Sequence, residues 1–252
     1  MAYKELLFSP TGGTKKAADA FMGVWSDCAD VVDLSAPDFK GSAVSFDRGD
    51  AVLIAMPCFG GRVPKVAVDR LKDVAGNGAP CVVMCVYGNR AFEDGLVEMA
   101  DAAKDAGFAV VAGIAAIAQH SIMPQYAAER PDAVDLEHLQ EYATITKKLI
   151  EKGEDASGAL PGNRPYKEAG AVPLVPSADK TCTKCGTCAK RCPVSAIDPS
   201  TFKADKKACI SCMRCINVCP AHARSVNKLM VTMAAKAIKK AAEVRKEAEL
   251  FA

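Results

Sequence analysis

Two cysteine runs constrain this chain more than any other feature. The first is Cys182-x2-Cys185-x2-Cys188-x3-Cys192-Pro193, and the second is Cys209-x2-Cys212-x2-Cys215-x3-Cys219-Pro220. Together they hold eight of the twelve cysteines. Three thiolates two residues apart wrap a tight loop around one four-iron cluster, whereas the fourth, followed by proline, leaves that loop and serves the neighbouring cluster. The spacing predicts two [4Fe-4S] clusters, one on Cys182, Cys185, Cys188 and Cys219 and one on Cys209, Cys212, Cys215 and Cys192. Cys-x2-Cys pairs also bind zinc, but zinc sites use two pairs across a longer spacer and not a repeated quartet ending in Cys-Pro.

Thiolates kept available for iron fit a reducing cytoplasm and not a disulfide framework, and the oxygen sensitivity of exposed clusters points to an anaerobic host. With 32 basic and 30 acidic residues the net charge is +2, so nothing in the bulk electrostatics directs the chain to nucleic acid. The longest apolar run, 108–118, is too short to span a bilayer, and the first residues lack the pattern of a signal peptide.

Residues 2–152 alternate strand and helix signals. Short apolar runs over 4–9, 29–34, 50–56, 80–86 and 108–118 read as strands, and helical periodicity appears over 14–25, 65–74, 91–106 and 134–152. Asp50-Ala-Val-Leu-Ile-Ala-Met56 is apolar almost throughout, as in strands buried on both faces of a parallel sheet. The fold class predicted is α/β, a doubly wound five-stranded parallel sheet over 1–152.

Residues 153–178 then break the pattern with Gly153, Gly158, Pro161, Gly162, Pro165, Gly170, Pro173 and Pro176. They read as a linker that lies across the N-terminal domain and fixes the distance to the cysteine-rich unit at 179–224. From 225 to 252 the chain reads as one helix with Met230, Ala234, Ala237, Ala241, Val244, Ala248 and Phe251 on one stripe. That stripe docks on the N-terminal domain or makes a homodimer or partner contact.

Ser9-Pro-Thr11-Gly12-Gly13-Thr14 stands between the first strand and the first helix, where backbone N–H groups and small hydroxyls suit a phosphate. It is neither a Walker A loop nor Gly-x-Gly-x-x-Gly. In an open parallel sheet ligands bind beyond the carboxyl ends of the strands. The loops there are Pro57-Cys58-Phe59-Gly60-Gly61-Arg62 after the third strand and Tyr87-Gly88-Asn89-Arg90 after the fourth, with His120 after the fifth.

The first loop resembles the flavin mononucleotide phosphate loop of flavodoxins, and the cysteine unit resembles bacterial two-cluster ferredoxins. As a whole the chain is similar to fused flavodoxin-ferredoxin proteins. The resemblance implies strand order 2-1-3-4-5, a small α+β ferredoxin domain, bound FMN and two [4Fe-4S] clusters. It implies an electron-transfer flavoprotein exchanging electrons with a redox partner protein or a small acceptor. Two alternatives remain open: a reductase acting on a quinone or nitro compound beneath Tyr166 or His120, and a ferredoxin carrying a flavin-less interaction domain. Flavodoxin loops are typically acidic, whereas this chain has Arg62 and Arg90. One cation about 6 Å from a reduced flavin contributes roughly 3 kcal/mol, on the order of 100 mV, which predicts an easily reduced flavin. Cys28, Cys81 and Cys85 read as core residues.

Overall fold

The computed structural model describes residues 1–155, 160–170 and 174–252, and its N-terminal part alternates strand and helix. β1 (Ala2–Leu7), α1 (Gly13–Trp25), β2 (Asp30–Asp33), β3 (Asp50–Pro57), α2 (Lys65–Lys72), β4 (Pro80–Tyr87), α3 (Gly95–Asp105), β5 (Ala109–Ile117) and α4 (Ala133–Lys152) follow in turn. These strands pair in parallel in the order β2-β1-β3-β4-β5. That is the flavodoxin-like order, whose ligand crevice lies between β1 and β3.

The strand residues explain the layering. Every residue of β3 is buried, and alternate positions face opposite layers. Val52 and Ile54 pack with Val83, Leu71 of α2 and Met99 of α3, while Leu53 and Ala55 meet Met84, Phe21 of α1 and Leu139 of α4. Each such aliphatic side chain contributes about 1.5–3 kcal/mol by leaving water. α4 starts at a capping box, where Asp132 accepts from Val134 and Asp135 N–H and Asp135 accepts in return from Asp132 N–H.

Residues 160–170 cross α3, as the linker was expected to do. Asp94, at the N-cap of α3, accepts from Asn163 N–H (2.8 Å), Lys167 N–H (2.7 Å) and the Asn163 amide (3.0 Å). Arg164 forks onto Asp101 at 2.8 and 2.6 Å, Tyr166 Oη donates to the same carboxylate, and Lys167 pairs with Glu93. Gly162 presses on Val97 so closely that a Cβ there would come within 2.3 Å of Cγ1. Gly158 and Pro173, two of the expected breakers, lie outside the described residues.

The cysteine-rich part contains β6 (Ser177–Ala178), α5 (Thr187–Lys190), α6 (Arg214–Asn217) and β7 (Arg224–Ser225), with β6 and β7 antiparallel. The C-terminus departs from expectation. α7 (Lys228–Ala242) ends early, and Glu249–Phe251 form β8, antiparallel to β5. The sheet thereby gains a sixth strand among the described residues, and the free edge of β5 is paired. Tertiary bonds stop the helix. The Asn89 amide donates to the carbonyls of Ala242 (2.7 Å) and Val244 (2.9 Å), and Arg130 donates to that of Lys246 (2.7 Å). Lys246 Nζ returns to the carbonyls of Asn89 and Ala241, both at 2.6 Å. No helix of the described residues is long and apolar enough to cross a membrane.

Candidate cofactor sites

The carboxyl ends of β1, β3, β4 and β5 open into a cavity of about 390 Å³. Thr11, Gly13 and Thr14 line it from the first loop, Pro57, Cys58, Phe59 and Gly60 from the second, Tyr87, Gly88 and Arg90 from the third, and His120 from the fourth. Gly12 adopts φ +93° at the start of α1, a value that favours glycine. The amides of Lys15 and Lys16 find partners in Ser9 Oγ (3.0 Å) and the Gly12 carbonyl (2.9 Å). Those of Gly13 and Thr14 find none among the described residues, which leaves two N–H donors at a helix start beside the cavity.

His120 has a defined tautomer. Its Nδ1 accepts from Ile122 N–H (3.2 Å) and Met123 N–H (3.3 Å), so the proton resides on Nε2. Burial, with nearby Arg90 acting in the same direction, holds its pKa below the usual histidine value, and the ring is neutral at pH 7. Gly88 makes room for it, since a Cβ there would lie 2.7 Å from His120 Cδ2.

Five residues expected around the flavin do not line the cavity: Ser9, Gly12, Gly61, Arg62 and Asn89. Ser9 is occupied with its own helix start, and Asn89 is 3 % exposed and binds the turn after α7. Gly61, at φ +90°, faces Glu93, whose Oε2 would lie 1.7 Å from an added Cβ. Arg62 turns to the linker. It forks onto Glu98 (2.8 and 2.7 Å) and lies over the Tyr166 ring at 4.8 Å. Arg90 does line the cavity, but Glu93 pairs with it at 2.9 Å. The two uncompensated cations expected beside the flavin are thus one removed charge and one paired charge. Tyr166 does not roof the cavity either.

The roof comes from residues that sequence reasoning did not assign to the cavity. Leu174 enters from the linker, Ile210 and Ser211 from the second cysteine run, and Met230, Ala234, Ala237 and Ile238 from α7. Three of the α7 positions were legible as an apolar stripe, and their docking on the N-terminal domain is the packing observed. Tyr126 Oη donates to the Ala235 carbonyl at 2.8 Å and fastens the helix. Cys58 lines the cavity with its Sγ 3.5 Å from the Phe92 carbonyl, while Cys85 beside it is fully buried. Cys81 is core as expected, whereas Cys28 is exposed.

In the cysteine-rich part, Cys192, Cys209, Cys212 and Cys215 line one small enclosed space. Burial drives the Cys212 thiol up to about 12, and Cys215, Cys192 and Cys209 push in the same direction. Four soft donors gathered around one space, two of them, Cys212 and Cys215, with thiols pushed up by burial, fit a metal cluster that would hold them as thiolates. Ala196 N–H donates to Cys192 Sγ at 3.3 Å. In the other set Cys188 and Cys219 are buried, Cys182 is half-buried, and Cys185 is exposed next to Thr187 Oγ1 at 3.4 Å. The second run is fixed to the sheet: Arg214 donates to the Ser35 carbonyl (2.6 Å), and Asn217 reaches that of Thr11 (3.4 Å). Arg70 also holds the Pro193 carbonyl at 2.6 Å.

Residues 175–220 match the family model described as a 4Fe-4S dicluster domain. This part is an iron-sulfur region. Among solved structures, the chain is similar to oxidised flavodoxin 1 from Bacillus cereus, at 16% identity over 59% of this chain and 98% of that one, with a TM-score of 0.43. It is also similar to two-electron reduced Megasphaera elsdenii flavodoxin, at 18% identity over 57% and 98%, with a TM-score of 0.38. No curated protein matches the chain. The strand order and the family match together describe a flavodoxin-like domain joined to a ferredoxin-like region.

Proposed function

We propose that this chain is an electron-transfer iron-sulfur flavoprotein in which two [4Fe-4S] clusters and one FMN form an internal relay. Residues 1–152 hold the flavin, 153–178 span the join, and 179–224 carry the clusters on the two quartets named above. One observation supports this reading above the rest: Ile210 and Ser211, inside the loop of the second quartet, also line the cavity at the carboxyl ends of the strands. A cluster held by Cys209 and Cys212 would then be flanked by residues that border that cavity. The exposed Cys185 supports an outer role for the other cluster, where electrons are exchanged with a redox partner protein or a small acceptor.

In the flavin site, Gly13 and Thr14 N–H would hold the phosphate, Pro57 to Gly60 together with Tyr87, Gly88 and Arg90 would border the ring, and His120 would offer a neutral Nε2–H donor. The bound flavin contributes one- and two-electron chemistry, and the protein contributes orientation and exclusion of water. Direct reduction of a small molecule at the flavin is the weaker reading, because α7 and the cysteine loop cover the cavity.

Anaerobic reconstitution followed by iron, sulfide and flavin analysis tests the cofactor set, with about eight irons and one FMN per chain expected. Flash reduction then tests the relay. Flavin reduction after cluster reduction proceeds at a rate independent of protein concentration if the path is internal. A rate rising in proportion to concentration defeats the proposal.

A further inference from the structure

We infer that Arg224 is a redox-tuning residue whose guanidinium serves as buried counter-charge to the iron-sulfur clusters and makes the cluster beside it easier to reduce. The inference rests on the iron-sulfur reading above. Arg224 lies five residues after Cys219, as Ile197 lies five after Cys192. Both positions are buried, at 3 % and 5 % exposure, so the second run places a cation where its twin places an isoleucine.

The contacts of this cation are unusual. Nη1 reaches Cys188 Sγ at 3.7 Å and donates to the Phe202 carbonyl at 3.0 Å, while Nη2 donates to the Pro176 carbonyl at 2.9 Å. Nε is buried without a partner. Among the described residues no carboxylate pairs with Arg224. A buried guanidinium without a counter-ion is strongly unfavourable, and a chain that keeps one there needs negative charge nearby. Thiolate-ligated clusters supply it, and their inorganic sulfides are acceptors for the orphaned Nε–H. Reduction adds one electron and one more negative charge, so a fixed cation favours the reduced state. The short ladder between β6 and β7, with Arg224 opposite Ala178, fixes its backbone.

The test uses the full chain reconstituted anaerobically and titrated potentiometrically with electron paramagnetic resonance detection. Arg224→Gln is expected to retain wild-type iron and sulfide but to make one cluster at least tenfold harder to reduce, about 59 mV lower for one electron. Arg224→Lys, which keeps the charge, is expected to move less. Unchanged midpoints in Arg224→Gln at wild-type iron content overturn the inference and leave the cluster assignment standing. Wild-type protein that takes up no iron removes the assignment itself. Should Arg224→Gln fail to hold clusters, wild-type protein labelled with guanidino-¹⁵N arginine decides the matter. A nitrogen hyperfine coupling to the reduced cluster that disappears in Arg224→Lys supports the role, and its absence from wild type refutes it.

Discussion

Asp94 holds the segment that joins the two cofactor regions, so its removal offers a quantitative test of how firmly they are coupled. It is 1 % exposed and accepts three hydrogen bonds from the linker, at 2.7, 2.8 and 3.0 Å. These donors, Lys167 N–H first, hold its carboxyl below the ordinary aspartate range. A hydrogen bond to a charged acceptor contributes about 1.5–3 kcal/mol. The donors rehydrate when the segment lifts, so the three together contribute roughly 3 kcal/mol, not their sum. That corresponds to a detached population on the order of a hundredfold larger in Asp94→Ala. Limited proteolysis reads this population directly when opening and closing are fast relative to cleavage. Cleavage within 153–178 is expected to accelerate by about that factor, while circular dichroism stays that of the wild type. Because the native pKa is depressed, the contribution is complete above the unfolded aspartate pKa and is lost as pH falls through the lower native value. Wild-type cleavage should therefore rise only in acid. Cleavage of folded Asp94→Ala within twofold of wild type at pH 7 would refute the reasoning.

Three further outcomes follow from the geometry. Gly88→Ala drives a methyl to within 2.7–2.8 Å of the His120 ring and Cβ, so FMN affinity measured by fluorescence titration should fall about tenfold or more while the fold survives. Cys192→Ala removes one of four sulfurs around the second enclosed space, so iron per chain should fall by roughly half or more; a full complement of iron contradicts the crossed ligation. Glu5, in β1 and 1 % exposed, has a carboxyl raised to about 7, chiefly by burial and then by Asp19. A raised carboxylate pKa means that stability is fully present below about 4.5 and declines as pH rises toward 7. Glu5→Gln should accordingly raise the melting temperature at pH 8, by on the order of 3 kcal/mol in stability, with the gain vanishing near pH 4.5.

Much of this architecture is legible because burial writes itself into composition. β3, β4 and β5 are covered on both faces, and their unbroken apolar runs identify them. The cysteine quartets are legible because cluster geometry dictates spacing. β8 is not, since Glu249–Phe251 sits inside a continuous Ala, Lys and Glu pattern with no glycine or proline to end the helix. The stop signal lies far away in sequence, at Asn89 and Arg130. Arg62 was misplaced for the same reason: its loop position faces the cavity side of the sheet, but Glu98, on the adjoining helix, supplies a bidentate partner. Ile210 and Ser211 carry no chemical signature that would place them at the cavity, and only the docking of the two regions brings them there.

β8 alters how the ferredoxin-like region is attached. With α4 before it and β8 after it both belonging to the larger domain, that region is an insertion with two tethers, not a bead on a string. A singly tethered module searches a volume and meets its target at a finite effective concentration that falls with linker length. Two anchors remove the search. In the proposed relay, dilution, crowding and competing acceptors would then act only on the outward exchange of electrons, while the inward step would keep its own fixed clock.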